Sequence, residues 1–150
     1  MRTVSGKLDG GRVIVDVGIQ PTLSAPSTAV SSWEMPEIHP YRWLLDTGAQ
    51  RTCITRSAAK KVGLLPRGKI RLGNIHGVEI HTAYSFAVGF WVSSTGLSQV
   101  DAETTYYALD PVMGADLKDM EDFDILIGMD IIARGDLSIR RNGTFEFTLP

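Results

Sequence analysis

The sequence has a single cysteine, Cys53, and it lacks the features that direct a chain to nucleic acid or to a lipid bilayer. One cysteine excludes a disulfide within the chain and suits a reducing compartment. The formal net charge is −2 at pH 7, which provides no positive field for a phosphate backbone. No apolar run reaches the ~20 residues of a membrane helix, and the first residues lack the apolar segment of a secretory signal. We therefore expect a cytoplasmic protein with no nucleic-acid or membrane partner.

The length predicts one domain over residues 1–150, because 150 residues are enough to bury ~70% of the surface of the unfolded chain. Residues from about 20 to 40 are rich in Pro and Ser, which predicts an irregular inserted loop. The β-branched residues of Val13–Val17 predict a strand, with an edge strand before it at Thr3–Leu8. Further strands are predicted at residues 69–72, 78–92, 104–109, 137–140 and 144–149.

Two local signals indicate how these strands are connected. Residues 55–63 predict a short helix that Thr55 caps and Gly63 ends in a left-handed conformation, and a second short helix is predicted at residues 129–134. Asn142-Gly143 predicts a tight hairpin turn in the tail. The sum is an all-β chain with one or two short helices, which suits a small closed barrel.

The most informative segment is the apolar run of residues 43–45, which ends on Asp46 and continues as Thr47-Gly48-Ala49. A strand here would deliver one carboxylate to the edge of an apolar core. Thr47 and Gly48 would then turn the backbone, since glycine adopts φ values that side chains forbid. An acid at the end of a buried strand is costly unless something uses or satisfies it. We interpret Asp46 as a group that activates water; the alternative is an ordinary turn residue.

A bare Asp-Thr-Gly is expected by chance in ~3% of chains of this length, so its neighbours decide the interpretation. Residues 44–49, 73–77 and 123–130 occur in an order and spacing that resemble the retropepsin-like aspartic proteases. That group includes the retroviral proteases, the DNA-damage-inducible protease family and many bacterial relatives. The resemblance implies a small closed acid-protease barrel that forms a homodimer.

Hydrolysis by aspartates needs two carboxyl groups that share one proton, because like charges a few ångströms apart cannot both ionise. The chain has only one Asp-Thr-Gly. The resemblance therefore implies an aspartic endopeptidase in which two copies of Asp46 meet across a two-fold axis. It also implies that Thr47 and Gly48 shape and brace the catalytic loop. No metal and no organic cofactor is implied.

The second matching segment predicts a flexible hairpin that closes over a peptide or protein substrate, as a flap with Ile75 at its tip. Candidate substrate contacts are Ala49, Gln50, Asn74, Ile75, His76 and Gly77. His76 either contacts substrate or faces solvent, and we favour solvent. Arg51 stands where retroviral members carry an acid, so we expect a different substrate preference.

Four other patterns have simpler interpretations. His76 and His81 are five residues apart, which places them on opposite sides of a regular strand and disfavours a metal site. The acidic run of residues 116–124 is interpreted as a solvated loop. Cys53 is interpreted as a small buried residue, and Asp130 as the cap of the second helix.

The alternating apolar residues of the tail, Phe145, Phe147 and Leu149, are predicted dimer contacts.

The sequence leaves two alternatives to an active peptidase open. One alternative function is a catalytically weak or inactive dimeric peptide-binding module, since fold does not fix function. The other is a blocked form in which the inserted loop covers the cleft.

Overall fold

The computed structural model describes residues 2–22, 36–94 and 104–150. The inserted loop predicted at about 20–40 lies mostly outside the described residues. The ten strands of the described part are β1 (Arg2–Lys7), β2 (Ile14–Pro21), β3 (His39–Leu45), β4 (Cys53–Thr55), β5 (Pro66–Asn74), β6 (Gly77–Ser94), β7 (Thr104–Leu117), β8 (Ile125–Ile127), β9 (Asp136–Ile139) and β10 (Thr144–Leu149). The two helices found there are α1 (Arg56–Val62) and α2 (Met129–Ile132). None of these helices is long and apolar enough to cross a membrane.

Six strands close into a barrel. They run in the order β2, β3, β8, β4, β7 and β6, and pairing between β6 and β2 completes the ring. β1, β10 and β9 extend the sheet from β6, and β5 pairs with the long β6 outside the ring. The predicted small closed β-barrel with one or two short helices is therefore confirmed, and the described residues form two such helices.

The barrel, the strands that extend its sheet and the two helices share one apolar core. The largest buried side chains include Trp43 of β3, Phe86 and Phe90 of β6, and Phe147 of β10. The rings of Phe90 and Phe147 meet edge to face, with centroids 5.8 Å apart. Burial of side chains of this size supplies most of the favourable free energy of such a core.

The start of the chain and its tail pack differently from the prediction. β1 is not an edge strand, since it pairs with β10 along its length and with β6 at Arg2 and Thr3. The alternating apolar residues of β10 are wrong as dimer contacts. Phe145, Phe147 and Leu149 are at most 2% exposed because they fill the core of their own chain.

Local helix and turn predictions are confirmed. The Thr55 side chain accepts a hydrogen bond from the Ala58 backbone N–H at the start of α1, and Gly63 ends that helix with φ of 81°. Gly143 has φ of 83° in the turn between β9 and β10, which pair antiparallel. These features depend on a few consecutive residues, and that is why sequence alone located them.

One tyrosine ring covers two glycines on the barrel wall. A Cβ atom added at Gly89 would lie 1.9 Å from the Tyr106 ring, and one at Gly18 would lie 2.6 Å from the Tyr106 hydroxyl oxygen. Burial raises the pKa of Tyr106 to about 12. Glycine is needed at both positions because the ring occupies the space of a side chain.

Candidate active site

Two apolar segments that are distant in the sequence place Asp46. β3 and β8 pair in parallel, so that Leu45 lies opposite Ile127. The Asp46 backbone N–H extends this ladder by donating to the Ile127 carbonyl oxygen at 2.9 Å. Since Trp43 and Leu45 are buried, the strand is fixed in the core and the acid that follows it emerges, half-buried, at the rim of the barrel.

The carboxylate of Asp46 is held by its own loop. The Gly48 backbone N–H donates to Asp46 Oδ1 at 2.9 Å, and the Ala49 N–H donates to the Asp46 carbonyl oxygen at 3.1 Å. The expectation that Gly48 needs a left-handed φ is wrong, because Gly48 is absent from the residues with positive φ. A Cβ atom at Gly48 would instead lie 3.2 Å from Asp46 Oδ1. Glycine is suited to this position because it lets the carboxylate approach the loop.

Helix α2 supports the loop from behind. The Met129 N–H donates to the Ala49 carbonyl oxygen at 2.8 Å, and the Asp130 N–H donates to that of Gln50 at 3.2 Å. Gly128 precedes the helix, and a Cβ atom there would lie 2.5 Å from the Arg51 carbonyl carbon. The glycine after β8 therefore permits the close backbone contact that joins α2 to the loop that follows Asp46.

Asp130 ties the two segments together through its side chain, a role other than the predicted helix cap. Gly128 is the N-cap residue of α2. Asp130 Oδ1 accepts hydrogen bonds from the Thr52 N–H at 2.9 Å and the Thr52 hydroxyl at 2.8 Å. The Thr52 oxygen in turn accepts from the Gly128 N–H at 3.2 Å. Because Thr52 is fully buried, the acid satisfies polar groups that water does not reach.

A hairpin made by β5 and the start of β6 lies over a cavity beside this loop. Asn74 pairs with Gly77, so that Ile75 and His76 form its tip, and Ile75 is 95% exposed. The cavity has a volume of about 460 Å³. It is lined by Gly48, Ala49, Gln50, Arg51, Cys53, Leu72, Gly73, Ile75, Glu79, His81 and Leu117.

The structure brings together part of the predicted site. Gly48, Ala49, Gln50 and Ile75 line the cavity, and Asp46 borders it through its hydrogen bond with Gly48. The other predicted residues lie beside it: Thr47, His76 and Gly77 are exposed, and Asn74 precedes the hairpin tip.

Seven residues of the cavity lining were not among the predicted site residues: Arg51, Cys53, Leu72, Gly73, Glu79, His81 and Leu117. Leu72 lies directly opposite Glu79 in the hairpin. Side chains two residues apart share a face of a strand, so Glu79 and His81 point to the same side. That alternation was the available signal, and it became usable only once the register of the hairpin was known.

The prediction of a solvated loop at residues 116–124 is wrong at Asp116, which is a buried acid at the base of the hairpin, whereas residues 118–122 are exposed. Asp116 ends up 4% exposed because β7 continues to Leu117. Its carboxylate accepts from Arg56 Nε at 2.7 Å and from the Thr82 N–H at 2.9 Å, and His81 Nδ1 lies 2.8 Å from its carbonyl oxygen. Burial alone raises the pKa of Asp116, but the bonds from Arg56 and Thr82 and the Arg56 and His81 charges outweigh it and lower the pKa.

Cys53 is buried, and its thiol is not activated as a nucleophile. Cys53 is 7% exposed in the cavity wall, as predicted for a small buried residue. Burial, together with the charge of Asp130, raises the pKa of its thiol to about 11. A thiol that stays protonated is a poor nucleophile. Within residues 2–22, 36–94 and 104–150, no group of three His, Cys, Asp or Glu side chains is arranged to hold a metal ion.

Comparison with known proteins identifies the family. The family model described as aspartyl protease matches residues 34–131, which is more than half of the chain. Among solved structures, the retropepsin-like aspartic protease from Rickettsia conorii is similar, with a TM-score of 0.57 and 12% sequence identity over 97% of this chain and 89% of that one. The search of curated proteins finds no match. This chain belongs to the aspartyl protease family and has the retropepsin-like fold.

Proposed function

We propose that this protein is an endopeptidase whose active site forms when two copies of Asp46 face each other across a homodimer. The observation that carries the proposal is the position of Asp46, half-buried at the barrel rim with its carboxylate fixed by the Gly48 N–H at 2.9 Å. The chain supplies one such acid, and aspartate-catalysed hydrolysis needs two. A second copy of the same loop supplies the other by symmetry.

The proposed reaction uses a water molecule held between the two carboxyl groups. One ionised Asp46 takes a proton from the water, and the water oxygen bonds to the carbonyl carbon of the peptide. The protonated Asp46 of the second copy donates its proton to the carbonyl oxygen. As the resulting diol collapses, one of its hydroxyl groups returns a proton to the Asp46 that had donated one, the C–N bond breaks, and the leaving nitrogen takes the proton that the other Asp46 had received from water. No metal or cofactor takes part in this scheme.

The hairpin provides the proposed lid. Gly77 has φ of 128°, which favours a sharp tip, and the apolar side chain of Ile75 is almost fully exposed. Covering an exposed isoleucine with a substrate removes apolar surface from water, which contributes favourable free energy to binding. An extended peptide between the hairpin and the loop of Ala49 and Gln50 would pair by backbone hydrogen bonds. Thr47, Asn74, His76 and Gly77 remain candidate contacts in the assembled site.

Cleavage of a mixed peptide library tests the proposal, from about pH 4 to pH 7 because a proton-sharing pair works best in acid to mildly acidic solution. We expect the wild type to cleave and Asp46→Asn to be inactive. The matched control is Asp122→Asn, which makes the same change at an exposed loop position. Equal cleavage rates for the wild type and Asp46→Asn, or no cleavage by either protein, would exclude the peptidase. Peptide binding without cleavage would support the alternative of a binding module.

Subunit mixing tests the shared active site. A ninefold excess of Asp46→Asn chains should leave only about one tenth of wild-type chains in wild-type dimers and reduce their activity accordingly. An excess of Asp122→Asn should not reduce it. Wild-type activity that an excess of Asp46→Asn chains does not reduce would rule out catalysis by paired subunits. So would a sedimentation measurement that finds only monomer at a protein concentration at which the enzyme is active. We also propose that the dimer works in the cytoplasm on peptide or protein substrates.

A further inference from the structure

The side chain of Arg51 is a cation in the wall of the cavity with no ionic partner in the described part of the chain. It is half-buried, and among the described residues its side chain makes one hydrogen bond, a long one of 3.4 Å from Nη1 to the Met113 carbonyl oxygen. None of the ion pairs formed by residues 2–22, 36–94 and 104–150 includes Arg51. Its guanidinium group therefore keeps most of its donors available for another molecule.

The other ionisable groups of the cavity form ion pairs with one another and with Asp116, and none of these pairs includes Arg51. Glu79 and His81 lie 3.3 Å apart and contact each other, and His81 also contacts Asp116. The remaining wall is mostly apolar, with Ala49, Cys53, Leu72 and Leu117, and Gln50 adds an uncharged polar side chain. Apolar walls exclude water, and a charged hydrogen bond is stronger where water is scarce. The Arg51 charge reaches this wall, since it acts to lower the pKa of Cys53 against the larger effect of burial.

We infer that Arg51 selects peptides with an aspartate or glutamate side chain at the position that occupies this cavity. The planar guanidinium group matches a carboxylate with two parallel hydrogen bonds, which a neutral or basic side chain cannot make. The inference rests on the proposed function, because it assumes that a peptide occupies the cavity beside Asp46.

The whole-molecule charge does not explain such a preference. The net charge of −2 repels acidic peptides weakly. The basic residues Arg67, Lys69 and Arg71 are exposed on β5 and do not line the cavity. A preference for an acidic side chain must therefore come from a local contact. Arg67 provides a control at which the same change of charge can be made away from the cavity.

Binding to the Asp46→Asn variant tests the inference without requiring catalysis. Three peptides that differ at one position, with Glu, Gln or Lys, are titrated against it near pH 6.5 by fluorescence anisotropy. We expect the Glu peptide to bind roughly tenfold more tightly than the Gln peptide. Arg51→Gln should abolish this difference and Arg51→Glu should favour Lys, whereas Arg67→Gln and Arg67→Glu should leave it unchanged. The Glu preference should fade below about pH 4, because the peptide carboxyl becomes protonated.

Equal affinity for the Glu and Gln peptides would overturn the inference, as would an Arg67 variant that acts like the matching Arg51 variant, or no binding of any peptide. Far-UV circular dichroism of each variant checks that it is folded, and Arg51→Gln keeps the test valid if Arg51→Glu unfolds. Cleavage of the same peptides by the wild type separates the two proposals. A Glu preference in binding without any cleavage would exclude the peptidase and support Arg51 as a selective contact. Cleavage without a Glu preference would support the peptidase and overturn the inference about Arg51.

Discussion

Replacement of Asp130 by alanine should loosen the loop that follows Asp46 and destabilise the whole chain. One carboxylate oxygen, Asp130 Oδ1, accepts from the Thr52 N–H, the Thr52 hydroxyl and the Ile131 N–H at 2.9, 2.8 and 3.1 Å. Thr52 is fully buried, so its N–H cannot turn to water when the acceptor is removed. The Gly128 N–H still donates to the Thr52 hydroxyl oxygen, but the hydroxyl hydrogen of Thr52 loses the Asp130 oxygen that accepted it.

The cost follows from these contacts. A buried donor left without a partner costs about 1–3 kcal/mol, and a hydrogen bond to a charged group contributes about 1.5–3 kcal/mol. Since the contacts share one acceptor and are not additive, we expect Asp130→Ala to lower the free energy of unfolding by about 2–4 kcal/mol. With a urea m-value of about 1.5 kcal/mol/M, the unfolding midpoint falls by roughly 1.3–2.7 M.

The assay is urea unfolding at one fixed protein concentration, because the dimer proposed above would make the measured stability depend on concentration. Asp136→Ala, at an exposed position that begins β9, is the control and should change the midpoint little. Asp130→Asn keeps one oxygen acceptor and should lose less stability than Asp130→Ala. A loss under about 0.5 kcal/mol for Asp130→Ala, or simple additivity with Thr52→Val, would refute the argument that these two residues act as a unit.

Three further outcomes follow from other parts of the structure. Because the pKa of Asp116 is lower in the folded chain than its unfolded value of about 4, its ionised form stabilises the fold above that pH, and the contribution is lost as pH falls through the folded pKa. Asp116→Asn should therefore reduce the loss of thermal stability in acid, and an unchanged loss would contradict this. Cys53, with its pKa of about 11, should react with iodoacetamide at pH 8 about two orders of magnitude more slowly than in urea-unfolded protein, and similar rates would disprove its burial. Gly89→Ala should cost about 1–3 kcal/mol through collision with the Tyr106 ring, and Tyr106→Ala in the same chain should recover part of it in urea unfolding; no recovery would place the strain elsewhere.

Several features of this fold could be predicted from short stretches of sequence because short-range physics produces them. Thr55 caps α1 and Gly63 ends it through bonds within a few residues. The run of residues 43–45 reads as a buried strand, and an acid that follows such a strand must emerge at the barrel rim. The hairpin at Asn142-Gly143 likewise depends on its own turn residues.

Other features were decided by residues far apart in the chain. The carboxylate of Asp130 meets Thr52, and His81 meets Asp116, only after β4, β6, β7 and β8 have paired. The apolar alternation of β10 fits an inner face or an outer face equally well, and the neighbouring strands assigned it to the core. Periodicity states which residues share a face but not what that face meets.

The chain by itself thus determined a β-rich barrel, the place of Asp46 at the end of a strand, and a glycine-flanked hairpin. Only the folded structure decided that Gly48 serves a close contact with a carboxylate, and that Arg51 lies in a cavity without an ionic partner among the described residues. The physical reason is that hydrogen bonds and burial depend on distance in space, whereas a sequence records distance along the chain.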